Sequence, residues 1–228
     1  IECEGNTIVL TGGGVLKATD IEVPADISSA AFFIVGACIA DGSDIIIENV
    51  GINPNRDAVI HILREMGADI TLMDENIVSG EPVADVHVKS SELHGVDIPE
   101  ALVSGAIDEF PAIMVAAACA KGKTRLTGAE ELHVKESDRI TAIVGSLQTL
   151  GIDVDEQPDG MTVTGGKMAG GTINSFTDHR IAMAFAIAGL NASAPITVKD
   201  CANVETSFPG FVDVAKTAGL DLVVEEQG

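Results

Sequence analysis

The chain has 228 residues, 46% of them hydrophobic, enough to bury a large core in one domain or slightly more. Its 35 acidic and 13 basic side chains give a formal net charge of −22, which argues against nonspecific binding to nucleic acid or to an acidic membrane surface. No apolar run approaches the ~18 residues that a spanning helix needs, so no membrane partner is expected either. If the ligands are anions, the few cations must gather in one place. Cys3, Cys38, Cys119 and Cys201 show no metal-ligand spacing. Cys38 and Cys119 lie inside apolar runs and are expected to be buried thiols, which fits a reducing cytoplasm.

In chain order, three passages share one grammar: a short strand, a polar or glycine-containing turn, a strand, then a long small-apolar helix. They are TIVLTGGGVLKATDIEVPADISSAAFFIVGACIA, then DVHVKSSELHGVDIPEALVSGAIDEFPAIMVAAACA, then MTVTGGKMAGGTINSFTDHRIAMAFAIAGL. After each helix comes a β-branched strand, DIIIENV, KTRLTGA or PITVKDC, and then a second helix. The second helices are amphipathic. One stripe holds Val59, Ile62, Leu63 and Met66, and another holds Ile140, Ile143, Val144, Leu147 and Leu150. The third, FPGFVDVAKTAGL, is shorter and looser. Gly67, Gly151 and Gly219 are expected helix stops. The strands ADITLM, IDVDEQ and LDLVV are expected to follow.

The unit is therefore βαβαββ, with repeats at about 21–90, 91–165 and 166–228. This alternation implies an α/β architecture with parallel pairing inside each βαβ. Residues 1–20 are expected to be the tail strands of a preceding, mostly absent domain, and the third unit is one strand short.

The helix starts carry the chemistry. The first helices are entered through PADISS, AIDEFP and TDHR, and the second through NPNRD, HVKESDR and ETSFPG. An approximate threefold arrangement would bring these starts together. Asp26, Ser137 and Asp178 are good N-cap types, Ser28 and Ser29 read as caps, and Asp108 and Glu109 can be first-turn acids. Capping does not explain Lys135, Arg139 and Arg180. An unpaired cation in a first turn costs roughly 0.3–1 kcal/mol. A charge-assisted bond to a phosphate or carboxylate returns roughly 1.5–3 kcal/mol. Either nearby carboxylates such as Asp138 and Asp178 supply that bond, or an anionic ligand does. Asp108 and Glu136 could divide base and acid roles. A metal site on Glu131, His133, Glu136 and Asp138 is the weaker rival, because Lys135 and Arg139 would repel the ion.

HVKESDR, TDHRIAM, IDEFP, VPADISSAAFF and TSFPGF, in the order in which they occur here, resemble the C-terminal half of the 5-enolpyruvylshikimate-3-phosphate synthase family. The resemblance covers essentially the whole chain. It implies an inside-out α/β barrel domain of three βαβαββ units, facing a second domain that is the chain's missing N-terminal partner. It implies transfer of the enolpyruvyl group of phosphoenolpyruvate to shikimate 3-phosphate with release of phosphate, and neither a metal nor an organic cofactor. By the same resemblance Asp108 contacts shikimate hydroxyls and accepts a proton, and Glu136 protonates the enolpyruvyl methylene. Lys135 lies near the shikimate substrate, Arg139 and Arg180 hold phosphoenolpyruvate, and His179 supports the site. Some members carry a lysine before the SFP-type motif, where this chain has Val204, Glu205, Thr206 and Ser207. Glu131 stands where some members have asparagine. The related transferase acting on UDP-N-acetylglucosamine is the nearest alternative, followed by a non-catalytic folded fragment. An RNA-phosphate cyclase relative is disfavoured by the acidity.

Overall fold

A helix that is apolar on every face has one place to go, the interior. The computed structural model describes residues 1–225 and follows that rule three times. The chain opens with an exposed antiparallel hairpin, β1 (Glu2–Glu4) and β2 (Thr7–Val9). The first repeat then runs α1 (Ile27–Ile39), β3 (Asp44–Gly51), α2 (Ala58–Glu65), β4 (Asp69–Val78) and β5 (Glu81–Lys89). The second holds α3 (Glu100–Val103), α4 (Phe110–Cys119), β6 (Lys123–Leu126), α5 (Arg139–Thr149), β7 (Asp153–Gln157) and β8 (Gly160–Thr164). The third holds β9 (Gly171–Asn174), α6 (His179–Ala188), β10 (Ile196–Lys199), α7 (Val204–Ser207) and α8 (Phe211–Thr217).

Helices α1, α4 and α6 pack against one another at the centre, with nearly all their residues buried. Small side chains allow the close approach: Ala116, Ala117 and Ala118 lie in α4, and a Cβ on Gly36 of α1 would meet Ile187 and Leu190. The sheets lie outside this trio, in the orders β3-β5-β4 and β6-β8-β7, with β9 and β10 as a parallel pair. Helices α2 and α5 bury the stripes read from the sequence, Val59, Ile62, Leu63 and Met66 in one and Ile140, Ile143, Val144, Leu147 and Leu150 in the other. Gly67, Gly151 and Gly219 follow their helices with φ of 92°, 82° and 99°, the left-handed conformation glycine adopts freely. Phe208 and Phe211 close the third repeat onto α1, meeting Phe33 at ring-centroid distances of 6.1 and 5.8 Å. Burial pushes the thiols of Cys38 and Cys119 up to about 12, so both are inert. Among the described residues no helix is long and apolar enough to cross a membrane.

Two expected strands are not formed. Leu220–Val224, the LDLVV run, has no strand structure. In the first two repeats the corresponding strands, β4 and β7, hydrogen-bond only to β5 and β8. Among the described residues the third repeat offers no equivalent of β5 or β8, so β-propensity finds no ladder. The VLKATDIEV run is also strandless, and a parallel bridge forms just after it, Ala25 to Val50. Val15, Leu16, Ile21 and Val23 remain exposed. The equivalent segment of the second repeat is likewise held by bridges alone, His94 to Lys121 and Asp97 to Arg125. There the backbones run so close that a Cβ on Gly95 would lie 2.1 Å from the Lys123 carbonyl oxygen.

Candidate active site

The TDHR helix start is held by its own aspartate. Asp178 caps α6, its Oδ1 accepting from the backbone N–H of Arg180 at 2.9 Å and of Ile181 at 3.3 Å. Its other oxygen accepts from Arg139 Nε at 2.9 Å and from Ser137 Oγ at 3.0 Å. Asp138 caps α5 through Thr141 N at 3.1 Å, and Asp26 caps α1 through Ser29 N at 3.0 Å. Aspartate is thus the N-cap at each of these starts, as its short acceptor side chain favours.

Arg139 opens α5 and is the centre of the cluster. Its side chain is 0% exposed, as is that of Asp178. Besides Asp178 it donates from Nη1 to Asp108 at 2.9 Å and from Nη2 to Glu136 at 2.5 Å. Asp108, just before α4, also faces Lys135 Nζ at 3.4 Å and Arg180 Nη2 at 3.7 Å. Arg180 Nη1 donates to the Asp108 carbonyl at 3.2 Å and to Glu109 Oε1 at 3.3 Å. Lys135 Nζ also meets Glu131 at 2.5 Å. The starts of α4, α5 and α6 therefore converge, joined by bonds between the second and third repeats.

Burial is uneven across this cluster. Arg139 and Asp178 lie beneath it, whereas the Glu136 side chain is 51% exposed and Asp108 is partly open. Arg180 and Lys135 are mostly covered, each with an open edge. Burial pushes the Asp108 carboxyl up, but Arg180, Lys135 and Arg139 together outweigh it and hold it below the ordinary range. Asp178 is lowered in the same way, burial being overcome by its bond to Arg139. His179 is lowered by burial and by neighbouring Arg180, which favours its neutral imidazole form. His133 Nδ1 faces Asp138 at 2.9 Å and Nε2 faces the Pro158 carbonyl at 3.1 Å, and these two acceptors favour the protonated ring and raise its pKa.

All the residues singled out by sequence at IDEFP, KESDR and TDHR fall in one region. The rival metal set does not form a cradle, because Glu131 is engaged by Lys135, Glu136 by Arg139, and Asp138 by His133 and the α5 backbone. Among the described residues no group of three or more His, Cys, Asp or Glu could hold a metal ion. Just ahead of the ETSFPG start, Asn203 Nδ2 donates to the Thr177 carbonyl at 2.6 Å, beside the TDHR turn. Thr206 Oγ1 turns back onto the Asn203 carbonyl.

Two residues read as helix-end chemistry belong to the cluster instead. Ser28 does not cap α1; its Oγ donates to Glu109 Oε1 at 2.5 Å. Glu109 occupies the N-cap position of α4 but makes no capping bond. The signal in the sequence was the run of two acids, Asp108 and Glu109, before the Phe-Pro that opens a buried helix.

With this geometry in hand, the comparisons are specific. The family model for EPSP synthase (3-phosphoshikimate 1-carboxyvinyltransferase) matches residues 1–215. A 3-phosphoshikimate 1-carboxyvinyltransferase of Methylococcus capsulatus is 59% identical over 221 residues, covering 97% of this chain and 51% of the relative. Its counterpart in Nitrosococcus oceani is 56% identical, covering 96% of this chain and 50% of the relative. A solved EPSP synthase from Acinetobacter baumannii superposes with a TM-score of 0.95 at 53% identity, over 99% of this chain and 53% of that one. The α/β architecture with buried helices and outer sheets is thus the enolpyruvate transferase fold, the inside-out α/β barrel domain, and the rival acting on UDP-N-acetylglucosamine is not favoured. The chain spans about half the length of the curated relatives it matches. By motif, fold and family model together, the chain belongs to the EPSP synthase (3-phosphoshikimate 1-carboxyvinyltransferase) family.

Proposed function

We propose that the chain is the C-terminal half of a synthase that transfers the enolpyruvyl group of phosphoenolpyruvate to the 5-hydroxyl of shikimate 3-phosphate and releases phosphate. The half of the family's length that it does not span is its partner and the other wall of the cleft. A cytoplasmic location suits both substrates. The observation that carries this reading is the convergence of Lys135, Arg139 and Arg180 on Asp108 and Glu136 in an otherwise strongly acidic protein.

The charges define a sequence of events. Arg180 and Lys135 meet the anion first, since each keeps an open edge. Arg139 is covered, and its guanidinium reaches a ligand only when Glu136 swings off Nη2. Released from Arg139, the half-exposed Glu136 carboxylate takes up a proton from solvent and delivers it to the methylene carbon of the enolpyruvyl group. The hydroxyl oxygen of shikimate 3-phosphate bonds to the adjacent carbon while its proton passes to Asp108. A methyl proton then returns to the Glu136 carboxylate as the carbon–oxygen bond to phosphate breaks, which restores the double bond, and the leaving phosphate carries away the proton held by Asp108. Asp108 is a weak base while three cations hold its pKa down. An anion that neutralises Arg180 and Lys135 relieves that depression and makes Asp108 a stronger base. His179, neutral, offers a hydrogen bond without adding charge.

Calorimetric titration of the chain with phosphoenolpyruvate tests this. Saturable binding that weakens with salt is expected, and Arg180→Ala is expected to weaken it roughly 10- to 150-fold, the worth of one charge-assisted bond. The chain alone is expected to show no appreciable turnover. Absence of saturable binding of both phosphoenolpyruvate and shikimate 3-phosphate would remove the half-site reading, and turnover near that of a two-domain enzyme would remove the need for a partner.

A further inference from the structure

Glu109 has no part in the roles assigned above, yet it is among the most buried charged side chains, 5% exposed. Helix geometry does not account for it, since it makes no capping bond. Its Oε1 accepts from two donors that belong to different repeats. Ser28 Oγ, at the start of α1, donates at 2.5 Å, and Arg180 Nη1, at the start of α6, donates at 3.3 Å. Ser28 Oγ in turn accepts from Arg56 Nη2 at 3.0 Å, and that same Nη2 donates to the α1 cap Asp26. One oxygen therefore links all three repeats.

The carboxylate is not held there for its own stability. Burial, joined by the neighbouring Asp108 charge, pushes its pKa up by more than the Ser28 bond and the Arg180 and Arg56 charges bring it down. A neutral side chain of the same shape would sit at this position with less penalty. What Glu109 supplies is placement. Arg180 is otherwise held by Asp108 alone, through its carbonyl at 3.2 Å and its carboxylate at 3.7 Å, and Glu109 adds the tie that limits the rotamers its guanidinium can sample over the mouth of the cleft. Ordering such a side chain before the ligand arrives removes that cost from binding.

We propose that Glu109 is the positioning residue of Arg180, its Oε1 fastening the guanidinium to Ser28 so that the anion-facing edge of the cation points into the cleft. The direction of that edge rests on the reading of Arg180 as a phosphoenolpyruvate contact; the fastening does not. Both donors use one acceptor oxygen, so a glutamine carbonyl can take over both bonds. It also removes the negative charge that competes with a ligand for Arg180.

Nitrogen-15 spectra of the arginine-labelled chain test the proposal. Wild type and Glu109→Gln are expected to show distinct, slowly rotating Arg180 Nη–H signals, and Glu109→Ala a single averaged one. Titration with phosphoenolpyruvate is expected to shift the Arg180 signals, with affinity kept or raised in Glu109→Gln and lowered roughly 2- to 10-fold in Glu109→Ala. Unchanged Arg180 rotation in Glu109→Ala overturns the proposal. So does failure of Glu109→Gln to restore what Glu109→Ala loses. If Glu109→Ala does not fold, Ser28→Ala reads the same restraint: faster Arg180 rotation supports the fastening, and unchanged rotation overturns it. Restricted rotation in wild type with no phosphoenolpyruvate shift overturns the ligand reading and leaves the fastening in place.

Discussion

Asp178→Ala is expected to lower the melting temperature of the chain by about 6–20 °C, the consequence of losing about 3–5 kcal/mol when one partner of a buried ion pair is removed. Asp178 and Arg139 are both 0% exposed, so the guanidinium left behind cannot recruit bulk water in its place. The same substitution deletes the α6 cap, worth about 1 kcal/mol by itself. Asp178→Asn separates the two effects, because an amide oxygen can still accept from the Arg180 and Ile181 amides while the charge is gone. The pH dependence has a definite sign. The folded-state pKa of Asp178 lies below the ordinary 3.8. Its contribution is therefore complete above 3.8 and is lost as pH falls from there through the folded value. The gap in melting temperature between wild type and Asp178→Ala should be widest near neutral pH and close in acid. A gap that stays constant down to the acid transition would show that the ion pair is not its source.

Glu136→Gln is expected to lower the turnover of a complete two-domain enzyme by about 10²- to 10⁴-fold, the range for loss of a positioned general acid. The assay joins this chain to the half of the family's length that it does not span. KM for phosphoenolpyruvate should hold or fall while kcat drops. Glutamine binds Arg139 Nη2 less strongly than the carboxylate does at 2.5 Å, and so leaves that guanidinium more available to the ligand. A rise in KM with kcat unchanged would make Glu136 a binding residue, and normal turnover would remove it from the proton-transfer step. Asp108→Asn tests the base in the same assay, with the added consequence that Arg139 and Lys135 each lose a partner.

Local pattern made much of the fold legible. The run Ile181–Ala188 could only be a buried helix, and the stripes of α2 and α5 fixed which face turns inward. The glycine stops at Gly67, Gly151 and Gly219 marked where those second helices end because the required φ is costly for other residues. What local pattern could not supply was partners. Leu220–Val224 and the segment before Ala25 have good strand composition, but a strand exists only beside another strand. The site was legible as a set of positions and less so as a set of bonds. The cations at two helix starts left open whether local carboxylates or a ligand satisfies them. For Arg139 the partners are local carboxylates: Asp178, Asp108 and Glu136. The doubled acid Asp108-Glu109 marked the place but not the partner, because a first-turn acid and a capping serine such as Ser28 look the same in sequence whether they face their own helix or another. The bond between them spans 81 positions.

The aromatic seam between α1 and α8 has a practical consequence for these measurements. The chain contains no tryptophan and no tyrosine, and seven phenylalanines. Phe32, Phe33, Phe208 and Phe211 form one contact cluster. Near-ultraviolet dichroism will therefore report in large part on whether the third repeat is docked onto α1, with buried Phe110 and Phe185 adding signals from α4 and α6. A variant at Arg139 or Asp178 could lose its site while this optical signature stays native. Conversely, an early optical transition would mark α8 peeling away while the central helices remain packed.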